Sequence, residues 1–154
     1  MNIPQTLTKE EQAVILSLKV DEENIHNIES STRDQSASEL WKKERTYRFT
    51  TSSFQLIAQR QRNQEAFAQS IMHPKPFTSK YVAHGIKYEP IALQEYQQYM
   101  FNRKTPAVVL RSGLVVSKDF RVLGASPDAK IIDKGCSICY GLAEIKCQIG
   151  RAHV

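Results

Sequence analysis

Four groups of residues with the makings of a reactive site occur in a particular order along the 154-residue chain. They are Arg45 with Ser52, Gly85-Ile86-Lys87-Tyr88-Glu89, Ser126-Pro127-Asp128 and Glu144-Ile145-Lys146-Cys147. The last is the simplest to read. Side chains alternate along a strand, so Glu144 and Lys146 are expected on one face. A carboxylate beside an ammonium suits a hydrolytic metal site. The carboxylate holds a hard cation such as Mg²⁺, which takes oxygen ligands. The cation activates water, and the lysine orients that water and favours its hydroxide form. Asp128 follows a proline at a turn between two expected strands, from where it could reach the same cation. Glu89 could complete the acidic cluster from a long helix.

Taken singly, each group has an ordinary explanation. Glu-x-Lys arises by chance in most chains of this length, and on a surface strand it is usually a solvated ion pair. Ser-Pro-Asp is usually a turn. A glutamate on a helix usually faces solvent, a lone arginine usually lies on the surface, and a serine such as Ser52 usually caps a helix. Only the ordered set argues for a site. The cysteines carry less. Cys136-Ser-Ile-Cys139 has the spacing of half a zinc site. No second such pair completes it; Cys147 could add a third ligand and His153 a poor fourth. Reduced thiols in a loop are the expectation, and a zinc-stabilised interaction domain is a subordinate reading.

The elements that must position these residues follow from pattern. Thr8-Lys9-Glu10-Glu11 is a capping box, followed by Val14, Ile15 and Leu18 at helical spacing. The polar stretch 21–27 reads as a linker. Ser36-Ala37-Ser38-Glu39 reads as a second capping box, opening a short helix with Leu40 and Trp41. Further helices are predicted over 53–62, 64–72 and 79–100. His73-Pro74-Lys75-Pro76 ends the second of these, and Pro90 kinks or restarts the third. Tyr81, Ile86, Leu93 and Tyr96 are its core candidates. Ala107-Val108-Val109-Leu110 and Gly113-Leu114-Val115-Val116 then read as strands around a tight turn. Val122-Leu123-Gly124, Lys130-Ile131-Ile132 and Leu142-Ala143-Glu144-Ile145-Lys146 continue the series. The expected class is α/β in an α+β-like arrangement, a helical N-terminal half followed by a mixed β-sheet.

Lys and Arg total 21 against 16 Asp and Glu, a formal net charge of +5. This balance permits a polyanionic partner without requiring one. No apolar run approaches the length of a membrane span, and Met1-Asn2-Ile3-Pro4 lacks a basic region followed by an apolar one. The expectation is an intracellular protein without a membrane partner.

Read together, the motifs resemble the lambda-exonuclease/YqaJ family of PD-(D/E)xK nucleases over residues 29–147. The resemblance rests on Thr32-Arg33-Asp34-Gln35-Ser36, on Trp41 with Arg45 four residues later, and on Arg48-Phe49-Thr50-Thr51-Ser52. It continues through Gly85-x-x-x-Glu89, Gly113-Leu114, Ser126-Pro127-Asp128 and Gly141-Leu142-Ala143-Glu144-Ile145-Lys146-Cys147. It implies a restriction-endonuclease-like core and hydrolysis of DNA phosphodiesters with Mg²⁺, or Mn²⁺ in its place, typically processive from a 5′ end. It implies Asp128, Glu144 and the backbone carbonyl of Ile145 as metal ligands, Lys146 positioning the attacking water, and Glu89 supporting the site. It implies Arg45 and Ser52 gripping the 5′ phosphate, which is sensible for a guanidinium beside a helix N-terminus. The partner would be duplex DNA ends, with homo-oligomers in a longer product. Asp119 lies near another acidic position of the family, but its spacing to Asp128 does not match. The alternative is a DNA-end-binding module without catalysis.

Two positions depart from the family pattern. Ala129 stands where glycine usually follows Ser-Pro-Asp, and Gln148 where proline usually follows Glu-Ile-Lys-Cys. The second has a simple candidate cause. Ile149-Gly150-Arg151-Ala152-His153-Val154 is what the common adapter read ATC-GGA-AGA-GCA-CAC-GTC encodes. The organisation expected is therefore an N-terminal helix and linker over 1–28, a partial nuclease domain over 29–148 and an adapter-derived tail over 149–154. On this expectation the native chain continues beyond Cys147, and the 154-residue polypeptide is an incomplete core, unstable or inactive.

Overall fold

In the computed structural model, residues 7–18, 20–75, 77–104 and 107–147 are described. Met1-Asn2-Ile3-Pro4, Pro76 and the tail from Gln148 lie outside them. The chain divides into two compact units, residues 1–73 with 113–126 and residues 74–112 with 127–154.

The first unit holds helices α1 (Lys9–Ser17), α2 (Glu22–Ser31), α3 (Glu39–Thr46), α4 (Thr51–Ala58) and α5 (Gln64–Met72), with a 3₁₀ turn at Gln35–Ala37. Strands β1 (Phe49–Thr50), β3 (Val115–Val116) and β4 (Leu123–Ala125) form its sheet, in the order β1-β4-β3. β1 runs parallel to β4, and β3 antiparallel. The second unit holds α6 (Lys80–Asn102) and an antiparallel sheet of β2 (Ala107–Arg111), β5 (Ala129–Asp133) and β6 (Tyr140–Ala143), in the order β2-β5-β6. The class is α+β with a helical N-terminal half, as expected, but the single mixed sheet is replaced by two three-stranded ones.

The stretch 21–27 is a helix, not a linker. Asp21 accepts from Asn24 N at 2.7 Å and caps α2, with Glu22 and Glu23 favourably placed in its first turn. Ile25 and Ile28, three apart, form one apolar stripe that packs on Leu114 and Val116, with Val20 and Trp41 around the edge. The expected core of α1 is only partly right, since Leu18 is buried while Val14 and Ile15 are exposed. The cap of α3 is Ser38, whose hydroxyl accepts from Trp41 N, rather than Ser36. α4 starts two residues earlier than predicted, where Ser53 Oγ accepts from Thr50 N at 3.3 Å in a capping box, and it stops at Ala58.

The hairpin expected over 107–116 does not form. Gly113 N donates to Glu29 Oε1 at 3.1 Å, and Leu114 N donates to Thr32 Oγ1 at 2.8 Å. Those bonds commit this segment to α2, and β2 pairs with β5 instead. Thr32 is fully buried and also donates to Ile28 O at 2.6 Å. A Cβ on Gly113 would stand 2.0 Å from Glu29 O and 2.5 Å from Thr32 Oγ1, so only glycine fits.

α6 runs unbroken through Gly85 and Pro90. Tyr81, Ile86 and Tyr96, expected in its core, are exposed, and Leu93 is half-buried. Among the described residues it packs mainly on β2. On the neighbouring strands Ala107, Ala129 and Ile131 are buried. No helix among the described residues is long and apolar enough to cross a membrane.

The contacts at Gly113 set a measurable expectation. Gly113→Ala should destabilise the protein by about 3 kcal/mol or more, since backbone must shift to admit the methyl group. Thr32→Val, which strands Leu114 N, should cost about 1–3 kcal/mol. Urea unfolding followed by circular dichroism reads both.

Candidate active site

Each unit carries one part of the expected site. In the second unit the acidic part begins at Asp128, immediately before β5. Its backbone N–H donates to Ala143 O at 3.1 Å, and its Oδ2 accepts from Ile145 N at 2.5 Å. The strand predicted over 142–146 therefore ends at Ala143. Ile145 N leaves the ladder for a carboxylate, and Glu144-Ile145-Lys146 continues as irregular chain. Glu144 and Lys146 still lie on one side, because Lys146 Nζ donates to Glu144 Oε1. This hydrogen bond is the main reason the Lys146 ammonium is held above its ordinary pKa. The charges of Glu144, Asp128 and Glu89 add to it. Lys146 is thus a cation at neutral pH, able to orient a nucleophile by donating hydrogen bonds.

Glu89 comes from α6. Burial raises its pKa most, and repulsion from Asp128 and Glu144 raises it further, with Lys146 opposing. Glu89, Asp128, Glu144 and Lys146 therefore lie within electrostatic reach of one another, brought there by three elements of one unit. The donors Asp128, Glu144 and the Ile145 carbonyl are all oxygens, and mutual repulsion among the carboxylates is what a bound cation would relieve. In this chemistry they fit Mg²⁺. Among the described residues, however, no three His, Cys, Asp or Glu side chains are drawn together tightly enough to make a ready-formed metal site. Ala129, one of the two departures from pattern, is fully buried and is not among the residues with positive φ, so alanine meets no backbone strain there.

In the first unit Arg45 leaves α3 and lies over the ring of Trp41, 3.9 Å from its centroid. Trp41 is itself fixed by Nε1 donating to Ser126 Oγ at 2.9 Å. The guanidinium reaches Ser52 Oγ at 3.3 Å and Thr50 Oγ1 at 3.5 Å, at the first turn of α4. Burial lowers the Arg45 pKa from its ordinary value, but arginine remains charged at neutral pH. A half-buried cation at a helix N-terminus, with two hydroxyls beside it, is an arrangement that accepts an anion. Trp41 and Thr50 join Arg45 and Ser52 here. The spacing of four from Trp41 to Arg45 was the legible sign of the first, since i and i+4 stack on a helix.

Arg48, in the same motif, does other work. It is buried, and donates to Glu44 O at 2.7 Å, to Glu44 Oε2 at 2.5 Å and to Arg121 O at 3.1 Å. Asp119 is exposed in the bend between β3 and β4, in the first unit. Cys136, Cys139 and Cys147 are free cysteines, the first two in the loop between β5 and β6. Asp133, next to Cys136, raises its thiol pKa.

A model of the viral alkaline exonuclease family matches residues 8–141. The chain belongs to this family, which is one of nucleases acting on DNA. The match includes Arg45, Ser52, Glu89 and Asp128, and ends before Glu144. No curated protein and no solved structure matches the chain.

The raised pKa of Glu89 has a signed consequence. A carboxyl raised on folding contributes its stability at low pH and loses it as pH rises through the folded value, so at neutral pH the charge costs stability. Glu89→Gln should therefore raise the melting temperature at pH 7 in EDTA. The gain should shrink towards about pH 4, where the unfolded carboxyl also becomes protonated. Thermal scans across this pH range check it.

Proposed function

We propose that this chain carries the site of a divalent-metal-dependent deoxyribonuclease, an exonuclease that hydrolyses phosphodiesters from a DNA 5′ end within the cell. The observation that carries the proposal is the convergence of Glu89 from α6, Asp128 before β5 and Glu144-Ile145-Lys146 after β6. Asp128, Glu144 and the Ile145 carbonyl would hold Mg²⁺ or Mn²⁺. When bound, the cation lowers the pKa of water and neutralises charge on the phosphate. Lys146, a persistent cation, turns from Glu144 to orient the attacking oxygen. Glu89 supports the cluster, and a bound cation would lower its raised pKa. The hydrogen bond from Ile145 N keeps Asp128 in one rotamer before substrate comes.

Arg45 and Ser52 are proposed to hold the 5′-terminal phosphate. Stacking on Trp41 fixes the guanidinium plane, so little freedom is lost when it pairs with phosphate oxygens. Duplex ends bearing a 5′ phosphate are the proposed substrate. The second reading, an end-binding module without hydrolysis, draws on the same grip. It is favoured by the absence of a ready-formed three-carboxylate site among the described residues.

The two readings separate on linear duplex DNA with Mg²⁺, with and without a 5′ phosphate. The enzyme reading expects hydrolysis that Asp128→Asn or Lys146→Ala lowers by about 10²–10³-fold, the scale for removing one group that stabilises the transition state. Arg45→Ala should erase the preference for a 5′ phosphate while leaving slow hydrolysis. Binding that depends on the phosphate, without hydrolysis, would select the end-binding module. DNA that is neither bound nor cut would sink both.

A further inference from the structure

Gly85 is a glycine that the fold does not need. It sits inside the 23-residue α6, where glycine is the poorest choice after proline. Two structural reasons usually justify such a residue, and neither applies. No described glycine has positive φ, so an L-residue would meet no backbone strain. A Cβ at Gly85 would meet nothing within 4 Å, whereas at Gly113 it would collide at 2.0 Å. Among the described residues nothing fills the space above Gly85, which leaves it open to a ligand.

The surroundings say what that is. On a helix the neighbours of residue 85 are those three and four positions away. They include Tyr81, Tyr88 and Glu89, the last being the α6 member of the acidic cluster. Tyr81 is 62% exposed and Tyr88 39% exposed. Lys80 Nζ stands 5.2 Å from the Tyr81 ring and Lys87 Nζ 5.1 Å from the Tyr88 ring. His84 packs on Tyr88 with ring centroids 4.4 Å apart. An open notch, one helical turn from Glu89, is thus bordered by exposed aromatic rings that carry cations. Such a surface suits the sugar–phosphate backbone of a nucleic acid, with phosphates near the cations and sugars against the rings.

We infer that Gly85 is the point of closest approach between α6 and the DNA backbone, and that glycine is there to let the strand run past Glu89. The inference rests on the proposed nuclease reading only for the nature of the ligand. Gly85 is a positioning residue, acting by the room it leaves. Alanine there should improve the helix and harm binding, and a larger side chain should harm binding more.

The test uses the whole chain. Duplex DNA affinity is measured in Ca²⁺, and melting temperature alongside, for Gly85→Ala, Gly85→Leu and Ala83→Leu. Ala83 is exposed on the far side of the helix, so its variant adds the same bulk away from the notch. The expected result is a higher melting temperature for both Gly85 variants. Affinity should fall about threefold for alanine and at least tenfold for leucine, and be unchanged for Ala83→Leu. Leucine at 85 binding as tightly as glycine would overturn the inference. So would a fall in melting temperature for either Gly85 variant, since the fold would then need the glycine. A parent chain that does not bind duplex DNA overturns it too. Hydrolysis in Mg²⁺ is read separately: a chain that binds through this notch but never cuts removes the nuclease reading and leaves this one standing.

Discussion

Asp128 is tied to the end of β6 twice, through its own N–H to Ala143 O and through its carboxylate to Ile145 N. The acidic cluster depends on this pair of hydrogen bonds. β5 and β6 pair Ala129 with Ala143 and Lys130 with Leu142, so the ladder ends just where Asp128 and Glu144 begin. A slip of one residue would turn every side chain of β6 to the opposite face. The bonds at Asp128 sit where such a slip would start. The arrangement commits one carboxylate oxygen of Asp128 to the backbone and leaves the other for chemistry.

The first unit rests on a comparable constraint with other chemistry. Glu29 and Thr32 take the N–H groups of Gly113 and Leu114. Glu29 also receives Arg33, at 2.9 Å, which raises the arginine pKa and leaves the buried carboxylate paired. These polar contacts hold Leu114 and Val116 against Ile25 and Ile28. Trp41 borders that core and also carries Arg45, so packing and the anion grip share one side chain.

The sequence made the chemistry more legible than the architecture. Glu89, Asp128, Glu144 and Lys146 lie within electrostatic reach of one another, although the strand expected to align Glu144 with Lys146 ends at Ala143. The pairing of β2 with β5 was not legible. Two short β-branched runs separated by Arg111 and Ser112 look like a hairpin, and only the distant Glu29 and Thr32 prevent it. The helix over 22–31 was hidden by its polar composition, since only Ile25 and Ile28 mark its buried side. The exposure of Tyr81 and Ile86 defeated the core prediction for α6, because apolar periodicity cannot distinguish a face that packs from one left exposed. Arg48 and Gly113 belong to the motifs that carry the family resemblance, yet their contacts are those of the scaffold.

The interleaving of the two units also bears on the order of events during synthesis. Every residue of the first unit precedes Pro127, and its core is complete once Val116 and β4 have emerged. The second unit starts earlier, at residue 74, but its sheet cannot close until Tyr140–Ala143 arrives. Chains emerge from the ribosome N-terminus first, and units fold as they become complete. The anion grip at Arg45 thus has all its partners in hand while β2 still waits for a strand to pair with. During that interval the apolar residues of β2 are without their ladder, and a half-made chain presents the Arg45 cation at the start of α4 before it presents any acidic cluster.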